Sequence, residues 1–289
     1  MSNRTIKAIL YGQLFDMGGL PVRQPIPSGT IEQVDPFLLL HHADVKVPQH
    51  VSVDHAGVGP HPHRGFSPVT FIFKGGVHHR DSRGNDSVIY AGGTQWMHAG
   101  MGIIHSERPP HDIFEIGGRQ EIVQLWVNSP AKNKMDQPHY YPLTKDETPT
   151  LQSDDRLTTV HVIAGELNGV KGGIPTLSPV NTFTIEMKKG GKYFFNIPTS
   201  HNSFIYLLDG KVNVNNEHAA EGKNAVVFNN DGQGSELEAL EDTRLFFGSG
   251  EPLNEPVASN GPFVMNNETQ ILQAFRDYQT GKMGVLIEN

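Results

Sequence analysis

Between His63 and His105 the chain is broken by turn signals: Lys74-Gly75-Gly76, Arg83-Gly84-Asn85-Asp86, Ala91-Gly92-Gly93 and Ala99-Gly100-Met101-Gly102. They recur about every eight to ten residues, a spacing that limits the elements between them to short strands. Val69-Thr70-Phe71-Ile72-Phe73 and Ser87-Val88-Ile89-Tyr90 are β-branched and aromatic, as strands that pack on a pleated surface are. The pattern predicts an antiparallel sandwich or small barrel. A charged content of only 19% argues against disorder, and 31 Gly with 20 Pro fit a turn-rich globular chain.

That region is bracketed by two histidine pairs. His61-Pro62-His63 opens it and His105-Ser106-Glu107 closes it. On a strand, residues i and i+2 project from one face about 6.6 Å apart, so each pair can aim both side chains at one spot. The intervening strands, roughly four of them, are enough to return the second pair opposite the first. Gly100 and Gly102 allow a tight turn just before it. Three imidazoles and one carboxylate would then surround a metal ion. Such a sulfur-free donor set suits iron, manganese, cobalt, nickel, copper or zinc rather than calcium. It also leaves a coordination position open, which is what makes a metal reactive. In a chain with 15 histidines one His-x-His can arise by accident. An HxH followed by an HxE inside one β-patterned stretch is much harder to obtain that way.

Composition excludes several function classes. A net charge of −8 offers no basic surface for phosphates, so direct nucleic-acid binding is not expected. The densest basic run, Lys188-Lys189-Gly190-Gly191-Lys192, reads as a solvated turn. With no cysteine, disulfides, thiolate metal sites and cysteine nucleophiles are ruled out. The apolar run from Met1 to Tyr11 is too short for a signal peptide, and no segment approaches a membrane span. A soluble cytoplasmic protein is the default expectation.

At 289 residues two domains are expected. Residues 1 to 35 read as strands and loops with turns such as Met17-Gly18-Gly19, and Phe37-Leu38-Leu39-Leu40 as a strand buried on both faces. His41 and His42 after it are candidates for a structural or supporting role. Glu121 to Val127 reads as a central strand on which Gln124 and Trp126 share a face, and core packing is the simpler reading for both. The Pro-, Lys- and Asn-rich stretch from Ser129 to Pro149 marks the boundary, placing one domain at 1–142 and the other at 143–289. The second half repeats the pattern at Leu157 to Ile163, Asn181 to Met187, Lys192 to Ile197, Ser203 to Leu208, Lys211 to Val214, Ala225 to Phe228 and Thr243 to Phe247. Its Leu208-Asp209-Gly210-Lys211 hairpin stands where Lys74-Gly75-Gly76 stands in the first half, a weak internal duplication. It contains His201 and His218 but neither metal pair, so it is expected to keep the fold and lack the metal. The one clear helix signal is late. Asn267 and Gln270 make a capping-box-like start, Ile271, Leu272, Phe275 and Tyr278 follow at helical spacing, and Gly281 can end it.

Several longer stretches resemble the pirins, in the bicupin branch of the cupin superfamily. They are Asp35-Pro36-Phe37-Leu38, His61-Pro62-His63-Arg64-Gly65-Phe66, Gln95-Trp96-Met97, Gly102-Ile103-Ile104-His105-Ser106-Glu107, Pro252-Leu253-Asn254-Glu255-Pro256-Val257 and Gly261-Pro262-Phe263-Val264-Met265-Asn266. The resemblance implies an all-β fold of two antiparallel, jelly-roll-type cupin barrels facing each other, with a short C-terminal helix and the metal in the N-terminal barrel. Its ligands fall on His61, His63, His105 and Glu107. The cofactor implied is one divalent transition metal, iron(II) first, with manganese, cobalt, nickel, copper or zinc as alternatives. The activity implied is that of a quercetin 2,3-dioxygenase, with a flavonol and O2 as partners and Glu107 as the base for the 3-hydroxyl proton. A monomer is expected on the same ground. One departure stands out: the family commonly continues HPHRGF with Glu-Thr-Val, and this chain has Ser67-Pro68-Val69. Pro68 suggests a bulge or edge there. The alternative reading, also carried by the resemblance, is a regulatory protein whose metal or redox state controls a protein partner, either a transcription cofactor or a modulator of a metabolic enzyme.

Overall fold

A computed structural model of the chain describes residues 2–17, 19–48, 51–52 and 55–288. Gly18, inside the expected Met17-Gly18-Gly19 turn, and Met1, at the head of the short apolar run, lie outside the described residues. The chain forms two compact units. One comprises Asp16–Val22, His41–Lys145 and Asn254–Asn289; the other comprises Met1–Phe15, Arg23–Leu40 and Asp146–Leu253. The expected halves, 1–142 and 143–289, are contiguous, whereas these units are not.

Pairing of the termini is the reason. Ile6–Tyr11 runs antiparallel to Asn224–Phe228, with Ile9 opposite Val226. Just before it, Arg4 is fully buried and donates to the carbonyls of Pro198 (2.8 Å), His201 (2.7 Å) and Gly232 (3.3 Å). The C-terminal helix Glu268–Gln279 instead buries Ile271 and Ala274 among Phe263, Met265 and Met283. Its start follows the expected signal: Asn267 Oδ1 accepts from the Gln270 N–H at 3.0 Å, and Gln270 Oε1 accepts from the Asn266 N–H at 2.9 Å. Leu272 does not join the apolar stripe, since it is 70% exposed. Two short helical turns, Ala131–Asn133 and His111–Glu115, follow Pro130 and Pro110 and carry no periodicity to announce them.

Most strands of one seven-stranded sheet belong to the unit containing His41–Lys145. The sheet's order is His139–Leu143, Thr94–His98, Phe66–Lys74, Arg119–Asn128, Phe37–Lys46, Leu20–Ile26 and Gln13–Met17. A four-stranded sheet accompanies it, in the order Val58–His63, Ile103–Arg108, Gly76–Asp81 and Asp86–Tyr90. The other unit repeats the seven-plus-four arrangement, in line with the duplication read from the hairpins. All seven strands expected in the second half form, with ends moved by at most three residues. Gly234–Ala239 was not expected as a strand because Glu236 and Glu238, which disfavour strands, alternate with its apolar residues.

The interior of that second unit is hydrocarbon. Phe183, Phe195 and Phe247 stack with centroids 5.2 and 5.5 Å apart, among Val160, Leu207, Val226 and Leu245. Each such fully buried side chain is worth about 1.5–3 kcal/mol. Among the described residues no helix is long and apolar enough to cross a membrane.

Candidate metal centre

Register brings the two histidine pairs together. In the four-stranded sheet Ile103–Arg108 lies antiparallel to Val58–His63, with His105 opposite His61 and Ile103 opposite His63. The ring centroids of His61 and His63 are 4.7 Å apart, those of His61 and His105 4.3 Å, and those of His63 and His105 5.0 Å. One nitrogen from each ring lies within 4.8 Å of the others. His63 and His105 are buried, and His61 forms the partly exposed side of the group.

Hydrogen bonding tells which nitrogens are available. His61 Nδ1 lies 2.8 Å from the Gly59 carbonyl, which can only accept, so Nδ1 carries the proton and Nε2 presents its lone pair. His105 Nε2 and both nitrogens of His63 are buried without a hydrogen bond of ordinary geometry. A buried polar atom left in that condition costs about 1–3 kcal/mol. Burial draws His63 and His105 well below the usual imidazole pKa. The neighbouring rings add to the fall, and for His63 the Pro262 carbonyl partly opposes it. Neutral imidazole is the ligating form. Three converging imidazoles, two of them buried with a nitrogen that has no hydrogen-bond partner, fit a divalent transition metal.

Glu107 stands differently from the three imidazoles. The register with Val58–His63 slips between His105 and Glu107, because that neighbouring strand has one extra residue between Val58 and His61. The Glu107 carboxylate is held by Thr70, whose hydroxyl donates to Oε1 at 2.5 Å, and by Gln124, whose Nε2 donates to Oε2 at 2.8 Å. It is not part of the group gathered within 4.8 Å. Each carboxylate oxygen has a second lone pair to offer.

Gln124 and Trp126 line the site rather than the core, which corrects the simpler reading of their shared face. Trp126 Nε1 donates to Gln124 Oε1 at 3.3 Å, and its ring meets Phe66 at 4.3 Å and His63 at 5.6 Å. Their partners across the ladder, Pro68 and Thr70, lie on that same face. Beside Glu107 and Gln124 a narrow recess of about 30 Å³ is walled by Met17, Leu20, Val22 and Ile122. His41 lines it and is held neutral by burial, its pKa drawn down to about 4. His42 is structural: its Nε2 meets Glu121 Oε1 at 3.3 Å, while Lys74 Nζ meets Oε2 at 2.9 Å. A larger open recess in the other unit is lined by Asn168, Lys171, Asn181 and His201, among others. Among the described residues the group that could hold a metal is the histidine cluster.

The family models named Pirin and Pirin C-terminal cupin domain match residues 19–127 and 182–284. The chain belongs to the pirin family. Pirin-1 of Arabidopsis thaliana is 35% identical over 287 residues, covering 96% of this chain and 94% of that protein. A pirin-like protein of Solanum lycopersicum is 34% identical, covering 96% and 92%. The crystal structure of a quercetin 2,3-dioxygenase from Acinetobacter baumannii superposes with a TM-score of 0.92 at 35% identity, covering 99% of this chain and all of the other. The two cupin-type barrels and the short C-terminal helix are thus the pirin architecture.

For a pirin, the replacement of Glu by Ser67 turns out to lie away from the histidine cluster. Phe66 and Thr70 point at the site, so strand alternation turns Ser67 to the opposite face. There its hydroxyl meets His98 Nδ1 at 2.7 Å, and Trp96 Nε1 donates to the same nitrogen at 3.3 Å. Pro68 stays within the ladder, opposite Trp126. Behind the site, Lys134 donates to the Gly65 carbonyl (2.7 Å), Asn128 Oδ1 (2.6 Å) and the Val264 carbonyl (3.1 Å), and so fixes the chain just past His63. His79 and Asp81 also reach the site's sheet face and were not singled out from the sequence. Their i, i+2 spacing in Val77-His78-His79-Arg80-Asp81 was the available signal.

Proposed function

We propose that this pirin is a metal-dependent enzyme of the quercetin 2,3-dioxygenase type, acting on a flavonol and O2. The observation that carries the reading is the convergence of three imidazoles, with buried nitrogens of His63 and His105 turned into the group, beside a carboxylate that borders a small recess. The likeness to the Acinetobacter baumannii quercetin 2,3-dioxygenase supports it. His61, His63 and His105 would hold one divalent transition metal, iron(II) being the first candidate, with Glu107 as the fourth ligand. Such an ion supplies a Lewis acid that acidifies a bound hydroxyl.

The remaining chemistry falls to the side chains. Glu107 takes the 3-hydroxyl proton of the flavonol on whichever oxygen Thr70 or Gln124 releases, and the other oxygen stays anchored. Gln124 is itself held by Trp126, so the carboxylate is aimed by a short chain of side chains. Phe66 packs under Trp126 and His63 and so keeps that side of the cluster apolar.

Oxygen uptake with quercetin tests the reading, using apo protein reloaded separately with iron, manganese, cobalt, nickel, copper and zinc. Metal-dependent uptake is expected, together with loss of most turnover but not of metal in Glu107→Gln. Full turnover in that variant would remove Glu107 from its role. Fully loaded protein that consumes no oxygen with any metal would overturn the enzyme reading and turn attention to partner control.

A further inference from the structure

We propose that Asp81 and His79 are positioning residues for the metal centre, setting the tautomer of His105 through a hydrogen-bonded relay. The inference rests on the metal reading above and deepens it. Gly76–Asp81 is the other neighbour of the His105 strand, with Asp81 opposite His105 and His79 opposite Glu107. Alternation therefore puts His79 and Asp81 on the face that carries the ligands.

The protons can be placed one after another. Asp81 is 4% exposed. It accepts from the backbone N–H groups of Arg83 (2.9 Å) and Asn85 (3.1 Å) and from Asn85 Nδ2 (2.8 Å). A carboxylate surrounded by donors in this way is an acceptor only. His79 Nε2, 3.0 Å from Asp81 Oδ2, must therefore carry a proton. In the neutral ring that leaves a lone pair on His79 Nδ1, which lies 3.4 Å from His105 Nδ1. His105 must then hold its proton on Nδ1 and direct it at His79. Its Nε2 is left as a bare lone pair, and this is the buried nitrogen with no protein partner. The opposite tautomer would set two lone pairs against each other and turn an N–H into the cluster.

Packing holds the relay in place. The Tyr140 ring lies flat on His79, with centroids 3.9 Å apart and planes 3° from parallel, and the Tyr140 hydroxyl is tied to Ser87 Oγ at 2.7 Å. Rotating the His79 ring would break the stack and both hydrogen bonds. Outer partners of this kind typically change metal affinity about 10–100-fold when removed.

Three variants and two readouts test the proposal. The first readout is the tautomer of His105 in the apo protein, from nitrogen-15 NMR of histidine-labelled material assigned with His105→Gln. The second is the dissociation constant for cobalt(II), from competition with a chelator. Wild type should show His105 protonated on Nδ1. His79→Leu, which removes the acceptor, should lose that preference and bind cobalt(II) about 10–100-fold more weakly. His79→Asn places an amide oxygen near the former Nδ1 and should restore most of the affinity. Asp81→Asn turns a donor toward His79, which should reverse both tautomers and weaken binding while backbone partners of residue 81 remain. Wild-type tautomer and affinity in both His79→Leu and Asp81→Asn would overturn the relay. Equal weakening in His79→Leu and His79→Asn with an unchanged His105 tautomer would also overturn it, assigning the loss to packing. Wild type that binds no cobalt(II) would count against the metal reading, and the apo tautomer would still decide the relay.

Discussion

Replacing Asp277 by alanine tests whether the C-terminal segment holds the ligand strands in place. Arg64, directly after His63, is 2% exposed; its Nε donates to the Met101 carbonyl at 2.7 Å and its Nη2 to Asp277 Oδ2 at 3.0 Å. Those bonds tie the end of the His63 strand both to the turn before His105 and to the helix Glu268–Gln279. In Asp277→Ala the guanidinium keeps its charge, stays buried and loses its counter-charge. Breaking a buried pair from one side costs about 3–5 kcal/mol. For a unit of this size that lowers the thermal midpoint by about 6–20 °C. The double variant Arg64→Met with Asp277→Leu removes both charges and should recover most of the loss, because hydrocarbon of similar volume replaces a buried pair at little net cost. Acid supplies a second check. The Lys282 ammonium foremost, with Gln273 and Arg64 behind it, draws Asp277 down to about 2 against the opposing effect of desolvation. Its folded pKa lies below the unfolded value, so its contribution is complete above about pH 4 and disappears as pH falls through about 2. That contribution is about 2 kcal/mol before screening of the exposed Lys282 is counted. The destabilisation caused by Asp277→Ala should therefore shrink between pH 4 and pH 2 in calorimetric melts. A midpoint drop under about 2 °C at pH 7, less than 1 kcal/mol, would refute the reasoning, as would a drop that the double variant fails to restore.

Gly65→Ala should be far worse than its size suggests. The residue has φ of +84°, and an added Cβ would sit 2.0 Å from the Val264 carbonyl oxygen, so the chain after His63 must move. Loss of about 2–3 kcal/mol in denaturant melts and weaker cobalt(II) binding are expected, and near-wild-type values in both would show that the turn is not fixed as described. Ser67→Glu, which restores the commoner family residue, should leave cobalt(II) affinity within about threefold, under 1 kcal/mol, and lower the melting temperature by crowding a carboxylate against His98. A changed order of metal preference would instead place position 67 at the site.

Periodicity carried most of what could be read in advance, and register decided the rest. Alternation in His61-Pro62-His63 and His105-Ser106-Glu107 says that each pair shares a face, and the return of one pair onto the other follows from the strands between them. The three imidazoles meet as that argument requires. Alternation cannot announce a bulge. The extra residue lies in the partner strand, between Val58 and His61, while His105 and Glu107 stay in regular register with Asp81 and His79. The carboxylate that looks equivalent in the sequence is held by Thr70 and Gln124. The same limit explains Gln124 and Trp126. Their common parity was visible, but which face looks at the site depends on Thr70 pairing with Gln124, a contact across 54 positions of chain. It explains His79 and Asp81 as well, whose spacing repeats the ligand pairs and whose role depends on which strand lies beside Ile103–Arg108. The termini are the extreme case. Ile6–Tyr11 has an ordinary strand composition, and nothing local to it names Asn224–Phe228 as its partner. A chain whose turns are written locally can thus reveal its two cupin-type barrels and the cluster of three histidines from sequence. The contacts that aim Glu107 and orient His105 are long-range consequences of pairing, and those are the contacts on which any chemistry at this site depends.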